Sequence, residues 1–154
     1  MEEAGYLISD DILNLEEIPK STIVLGGGPI ALEMAHYLEA VGSKVTVVQR
    51  SNHVLSSMDD DLAEVVESAF RERGLEVYTG TKLTKAESKG DLKVIHFEHE
   101  GEVKTVEAEQ ILQALGRSPA TASLGLEAAR VETSRGRVNV EPTQATSAPN
   151  IFAA

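Results

Sequence analysis

A glycine-rich turn between a strand and a helix constrains this chain more than any other feature. Lys20-Ser21-Thr22-Ile23-Val24-Leu25 is a short run of apolar and β-branched residues, and Gly26-Gly27-Gly28-Pro29 follows it directly. The run reads as a buried strand. A helix is expected from about Pro29 to Val41, because proline suits the first helical turn and Gly42 is a natural stop. Val45-Thr46-Val47-Val48 then reads as a second buried strand. Two buried strands joined by one helix within about 30 residues form a β-α-β unit, so the strands are expected to be parallel.

Further along, a second helix is expected from Ser57 to Gly74. Asp59, Asp60 and Asp61 lie at its start and Arg71 and Arg73 at its end, each sign complementing the helix dipole. Leu62, Val65, Val66 and Ala69 predict its apolar face, and Leu75 to Tyr78 a third strand. The period of hydrophobicity then changes to two. Lys82–Ser88, Leu92–His99 and Glu102–Val106 alternate around turns at Lys89-Gly90-Asp91 and Glu100-Gly101, which predicts an antiparallel meander. Ile111–Leu115 is apolar again and is expected to rejoin the parallel sheet. Short strand-like pieces such as Val138-Asn139-Val140 follow among Ser, Thr and Pro. The fold class is therefore α/β: a Rossmann-like parallel sheet with helices on its faces and an inserted three-stranded antiparallel meander.

The glycines carry the chemistry. Gly26-x-Gly28-x-x-Ala31 follows a strand and opens a helix, the context that dinucleotide binding requires. Gly26 permits the tight turn. Gly28 lets a pyrophosphate approach the backbone, and Ala31 with Ala35 lets the helix press on the sheet. The helix start offers unpaired N–H groups and a positive dipole end to phosphates. In NAD-selective sites an acidic residue about 20 positions on holds the ribose hydroxyls. Gln49-Arg50-Ser51 stands there instead. No carboxylate repels a 2′-phosphate, and Arg50 suits one, so NADP is favoured over NAD. Glu33 is a carboxylate near a helix N-terminus, which the dipole alone accounts for.

Composition limits the alternatives. With 154 residues the chain is the size of one domain and buries roughly 70% of its unfolded surface. It holds 25 acidic and 14 basic residues, a net charge of −11, which disfavours nucleic acid and anionic membranes as partners. There is no cysteine, hence no disulfide or redox thiol in the chain. No apolar run approaches a membrane span and the first residues lack a signal-peptide pattern, so the cytoplasm is the expected compartment. His96-x-x-His99 would point to opposite faces of a strand, and no metal site is expected. His36 and His53 read as surface residues, and Phe70, Ile95 and Phe97 as core. No catalytic nucleophile pattern is present.

Several ordered segments together resemble the FAD-dependent pyridine nucleotide–disulfide oxidoreductases, a family that includes dihydrolipoamide dehydrogenase, glutathione reductase and mercuric reductase. They are Pro19-Lys20-Ser21, Gly26-Gly27-Gly28-Pro29-Ile30-Ala31-Leu32-Glu33, Gly42-Ser43-Lys44-Val45-Thr46-Val47-Val48, Ala114-Leu115-Gly116-Arg117-Ser118-Pro119 and Pro149-Asn150-Ile151-Phe152-Ala153-Ala154. The resemblance implies a homodimeric parent in which an FAD domain with a C-x4-C pair is interrupted by an NAD(P)-binding domain and followed by a dimerisation domain. This chain resembles the middle insert. Residues 1–20 would be the entry segment from the FAD domain, 21–115 the NAD(P)-binding core with its meander at about 82–106, and 116–154 the return segment. FAD would belong to the parent and not to this chain. By the same resemblance, Gly26, Gly28, Pro29, Ile30 and Ala31 cradle the pyrophosphate. Glu33 sits near the nicotinamide and the flavin face, the Leu83 backbone meets adenine, and Gly116 lines the cofactor groove. Leu115 and Ala120 replace a usual threonine and asparagine, and Pro29 stands where some reductases have a gating tyrosine. The expected function is to position the nicotinamide for hydride transfer to FAD, with the isolated chain binding nucleotide without turnover. A stand-alone dinucleotide-sensing module without catalysis is the alternative.

Overall fold

The computed structural model describes residues 4–154 in two compact units, which meet in sequence at Gly116 and Arg117. The first unit holds α1 (Ser9–Ile12), β1 (Ser21–Leu25), α2 (Pro29–Ala40), β2 (Lys44–Val48), α3 (Asp60–Glu72), β3 (Glu76–Tyr78), β4 (Lys82–Lys89), β5 (Leu92–His99), β6 (Glu102–Ala108) and β7 (Gln110–Gln113). Four strands form a parallel sheet in the order β3-β2-β1-β7. β4, β5 and β6 form the antiparallel meander, with a register shift between Leu83 and Lys85. The expected α/β architecture is present.

Alternation along β1 explains how the layers stack. Val24 packs with Val45, Val47 and Leu112 against Ala31, Ala35 and Leu38 of α2 and Ile12 of α1. Its neighbours Ile23 and Leu25 point the other way and pack with Val48 and Ile111 against Ile95 and Phe97 of β5. The meander thus covers one face of the sheet and the helices share the other. Both crossovers, β1-α2-β2 and β2-α3-β3, step in the same direction, and right-handed crossovers then put both helices on one side. After the meander the chain returns on the opposite side of β1. The sheet therefore has a switch point between β1 and β7, where ligands of such sheets gather at the carboxyl ends of the strands.

Three expectations need correction. The second helix runs Asp60–Glu72 with Asp59 as N-cap, three residues shorter at its start and two at its end than expected. Its buried face is not Leu62–Val65–Val66–Ala69. Leu62 and Val65 are exposed, Val65 at 70%, while Ala63 and Glu67 are buried and Val66 and Phe70 partly so. His53 is not a plain surface residue; it is half-buried and its Nδ1 is shut off from solvent. His36 is exposed, and Ile95 and Phe97 are fully buried. No pattern before Lys20 predicts a strand or helix. Leu7 in fact pairs with β7 through Leu7 N–H to the Ile111 carbonyl at 2.8 Å and Gln113 N–H to the Leu7 carbonyl at 2.8 Å.

In the second unit, β8 (Thr133–Ser134) and β9 (Arg137–Val138) form a hairpin. Its turn residues Arg135 and Gly136 both have positive φ, the geometry that matches strand twist. Ser147 Oγ accepts from Glu132 N–H at 2.8 Å and donates to the Arg130 carbonyl at 3.2 Å, closing the unit on itself.

Candidate functional site

β1 ends at Leu25, and the chain must turn sharply to start α2. Gly26 does this with φ of +121°, a conformation side chains rarely adopt. A Cβ on Gly26 would also collide with the Ala114 carbonyl. Gly27 packs against the Gln49 side chain, where a Cβ would come within 2.9 Å of Cγ. Gly28 is different. Its φ of −79° suits any residue, and a Cβ there would meet nothing within 4 Å. The fold needs no glycine at 28, and the space beside it is open.

Gly28 is the N-cap of α2 and provides no side-chain cap, so the first N–H groups of the helix lack an intrahelical acceptor. Pro29 opens the helix without an N–H to satisfy. The open space belongs to a groove of about 550 Å³ at the carboxyl end of the parallel sheet. Leu25–Gly28 follow β1, Val48–Ser51 follow β2, Thr81–Leu83 follow β3, and Ala114–Gly116 follow β7; Ser56 completes the wall.

The groove differs in charge from the rest of the chain. The chain has 25 acidic and 14 basic residues, yet the fifteen residues lining the groove include no carboxylate and two cations, Arg50 and Lys82. Arg50 is exposed and makes no ion pair among the described residues. Its N–H donates to Gln49 Oε1 at 3.1 Å. Lys82 Nζ lies 3.3 Å from Glu98 in an exposed pair, of a kind worth about 0–1 kcal/mol. An anionic ligand can displace such a partner easily.

Of the residues singled out from the sequence, Gly26, Gly28, Gln49, Arg50, Ser51, Leu83 and Gly116 lie together on this groove. Pro29, Ile30, Ala31 and Glu33 do not line it. Pro29 and Glu33 are exposed on α2, Ile30 is half-buried, and Ala31 is fully buried under the turn. Lys82, Thr81 and Ser56 were missed. Thr81 is buried and ties the walls together, its N–H and Oγ1 both donating to the Gln49 carbonyl at 3.1 and 3.0 Å. No local pattern marks these three, since only the tertiary fold brings them onto the groove that Gly28 lines.

Among the described residues there is no group of three or more His, Asp or Glu side chains able to hold a metal. His96 bonds Glu87 at 2.9 Å and Thr105 at 3.0 Å, whereas His99 meets the Tyr78 ring edge-on. Among the described residues no helix is long and apolar enough to cross a membrane.

The whole described chain matches a known family: residues 2–154 fit the model for pyridine nucleotide-disulphide oxidoreductases. The chain belongs to that family. A mercuric reductase of Bacillus cereus is 36% identical over 155 residues, covering 100% of this chain and 25% of its own length. A dihydrolipoyl dehydrogenase of Geobacillus stearothermophilus is 37% identical over 148 residues, covering 96% and 32%. Among solved structures, the HOCl-induced flavoprotein disulfide reductase RclA of Escherichia coli superposes with a TM-score of 0.84 at 32% identity over 96% of this chain and 33% of its own. The chain thus spans a quarter to a third of the length of these family members. The groove combines an open glycine, helix-terminal N–H groups without a side-chain cap and a wall without carboxylates, a set of features that suits an anionic ligand.

Proposed function

We propose that this chain is the NAD(P)H-binding domain of a flavin-dependent disulfide oxidoreductase, with residues 21–115 as its nucleotide-binding core. The observation that carries this reading is Gly28. A glycine that the fold does not need, beside an open groove at a helix N-terminus, is what close approach of a pyrophosphate requires. Gly26 shapes the turn, and the first N–H groups of α2 donate to the phosphate oxygens. Gln49, Arg50 and Ser51 face the ribose of the adenosine half, and the Leu83 backbone and Gly116 bound the adenine and the groove. Glu33, one turn into α2, lies toward the nicotinamide end.

When bound, the nicotinamide supplies a hydride, and the acceptor in the parent is FAD. The residues of this chain hold and orient it. Arg50 favours NADPH over NADH, because its planar fork of donors suits a phosphate better than a hydroxyl. One charged hydrogen bond of about 1.5–3 kcal/mol corresponds to roughly ten- to hundredfold in affinity. The test is calorimetric titration of the chain with NADPH and NADH, for the wild type and Arg50→Ala, at two salt concentrations. Binding of both with NADPH favoured, and loss of that preference in Arg50→Ala, is the expected result. Failure to bind either dinucleotide overturns the reading, and an unchanged preference in Arg50→Ala removes Arg50 from the site.

A further inference from the structure

Glu67 is the only charged residue that is buried among the described residues, at 6% exposure. A buried carboxylate is costly unless it is paired and hydrogen-bonded. Glu67 sits mid-way along α3, and both its oxygens are engaged. Oε2 accepts from both terminal nitrogens of Arg71 at 3.2 Å. Oε1 accepts the Val54 N–H at 3.0 Å, and His53 Nδ1 lies 3.5 Å away without forming a hydrogen bond.

Val54 belongs to the loop between β2 and α3, which carries Arg50, Ser51 and Ser56 to the groove. The next residue, Leu55, has φ of +49°, an uncommon conformation for leucine. Its N–H donates to the Gly27 carbonyl at 2.7 Å, inside the glycine turn itself. Two consecutive amides therefore bolt the loop, one to α3 through Glu67 and one to the phosphate-binding turn. An apolar side chain at 67 would fill the space beneath the loop but leave the Val54 N–H without its partner.

We propose that Glu67 is a positioning residue that sets cofactor preference, by holding the β2–α3 loop so that Arg50 and Ser51 meet the adenosine ribose. This rests on the NAD(P)H-binding reading above. The test uses the 154-residue chain with NADPH and NADH as probes, and amide hydrogen exchange at Val54 and Leu55. Glu67→Ala is expected to speed exchange at both amides and to lower NADPH affinity about tenfold, the equivalent of one charged hydrogen bond, with NADH affinity nearly unchanged. Glu67→Gln keeps an oxygen for Val54 and is expected to restore both the protection and the preference. Glu67→Asp keeps the charge beside Arg71 but is one methylene short of Val54, and is expected to behave like Glu67→Ala even if the alanine variant does not fold. Wild-type preference in a folded variant that has lost Val54 protection overturns the proposal. Wild-type protein that binds neither dinucleotide instead overturns the reading on which it rests.

Discussion

Gly26→Ala and Gly28→Val place new side chains two residues apart in one turn, and opposite outcomes are expected. At Gly26 the backbone has φ of +121°, and an added Cβ would sit 3.0 Å from the Ala114 carbonyl carbon and closer still to its oxygen. The oxygen belongs to the backbone where β7 ends, so relief requires moving the strand. Strained φ of this kind costs about 1–3 kcal/mol and overpacking a similar amount. A total of about 3 kcal/mol lowers Tm by roughly 10 °C or more for a unit of this size. At Gly28 the backbone is ordinary and the space is open. The only structural cost is a poorer N-cap, about 1 kcal/mol. The valine does stand between the groove and the first N–H groups of α2. Losing two charged hydrogen bonds there weakens NADPH by a hundredfold or more. Thermal melts followed by circular dichroism, with calorimetric titration of each variant, separate the two effects. Gly28→Val with wild-type affinity would refute the reasoning, as would Gly26→Ala melting at the wild-type temperature.

The exposed faces make further predictions. Hydrogen bonds from Lys85 and then His96 hold the Glu87 carboxyl below its ordinary value of 4.5. A carboxyl lowered in the folded state stabilises it above the unfolded value and loses that effect as pH falls through the folded one. NMR titration should therefore give a Glu87 midpoint below 4.5, and Lys85→Ala should raise it. On α3, Val65→Glu should change stability by less than about 0.5 kcal/mol in denaturant melts, since Val65 is 70% exposed. Phe97→Ala, at a fully buried position between sheet and meander, should cost about 3–5 kcal/mol in the same assay.

Local chemistry determined much of this protein from its sequence. A β-branched run ending in Gly26-Gly27-Gly28-Pro29 encodes strand, turn and helix start through backbone sterics alone, and the structure has β1, Gly26 at positive φ and Pro29 opening α2. The change of period from buried runs to alternation likewise marks where the parallel sheet gives way to the meander, because a strand covered on one face needs only every second residue apolar. Tertiary structure alone decided which face of α3 is buried. Leu62–Val65–Val66–Ala69 and Ala63–Val66–Glu67–Phe70 share the same i, i+3, i+4, i+7 spacing, and hydrophobicity favours the first. The second wins because Arg71 and the Val54 amide satisfy a carboxylate that would otherwise be too costly to bury, and neither partner is visible as such in the chain order. The groove divides in the same way. Gly26 and Gly28 are legible because a glycine-rich turn directly between a strand run and a helix start is a local pattern. Lys82, Thr81 and Ser56 are not, because they join the groove of Gly28 only when the loops that follow the parallel strands come together in the fold.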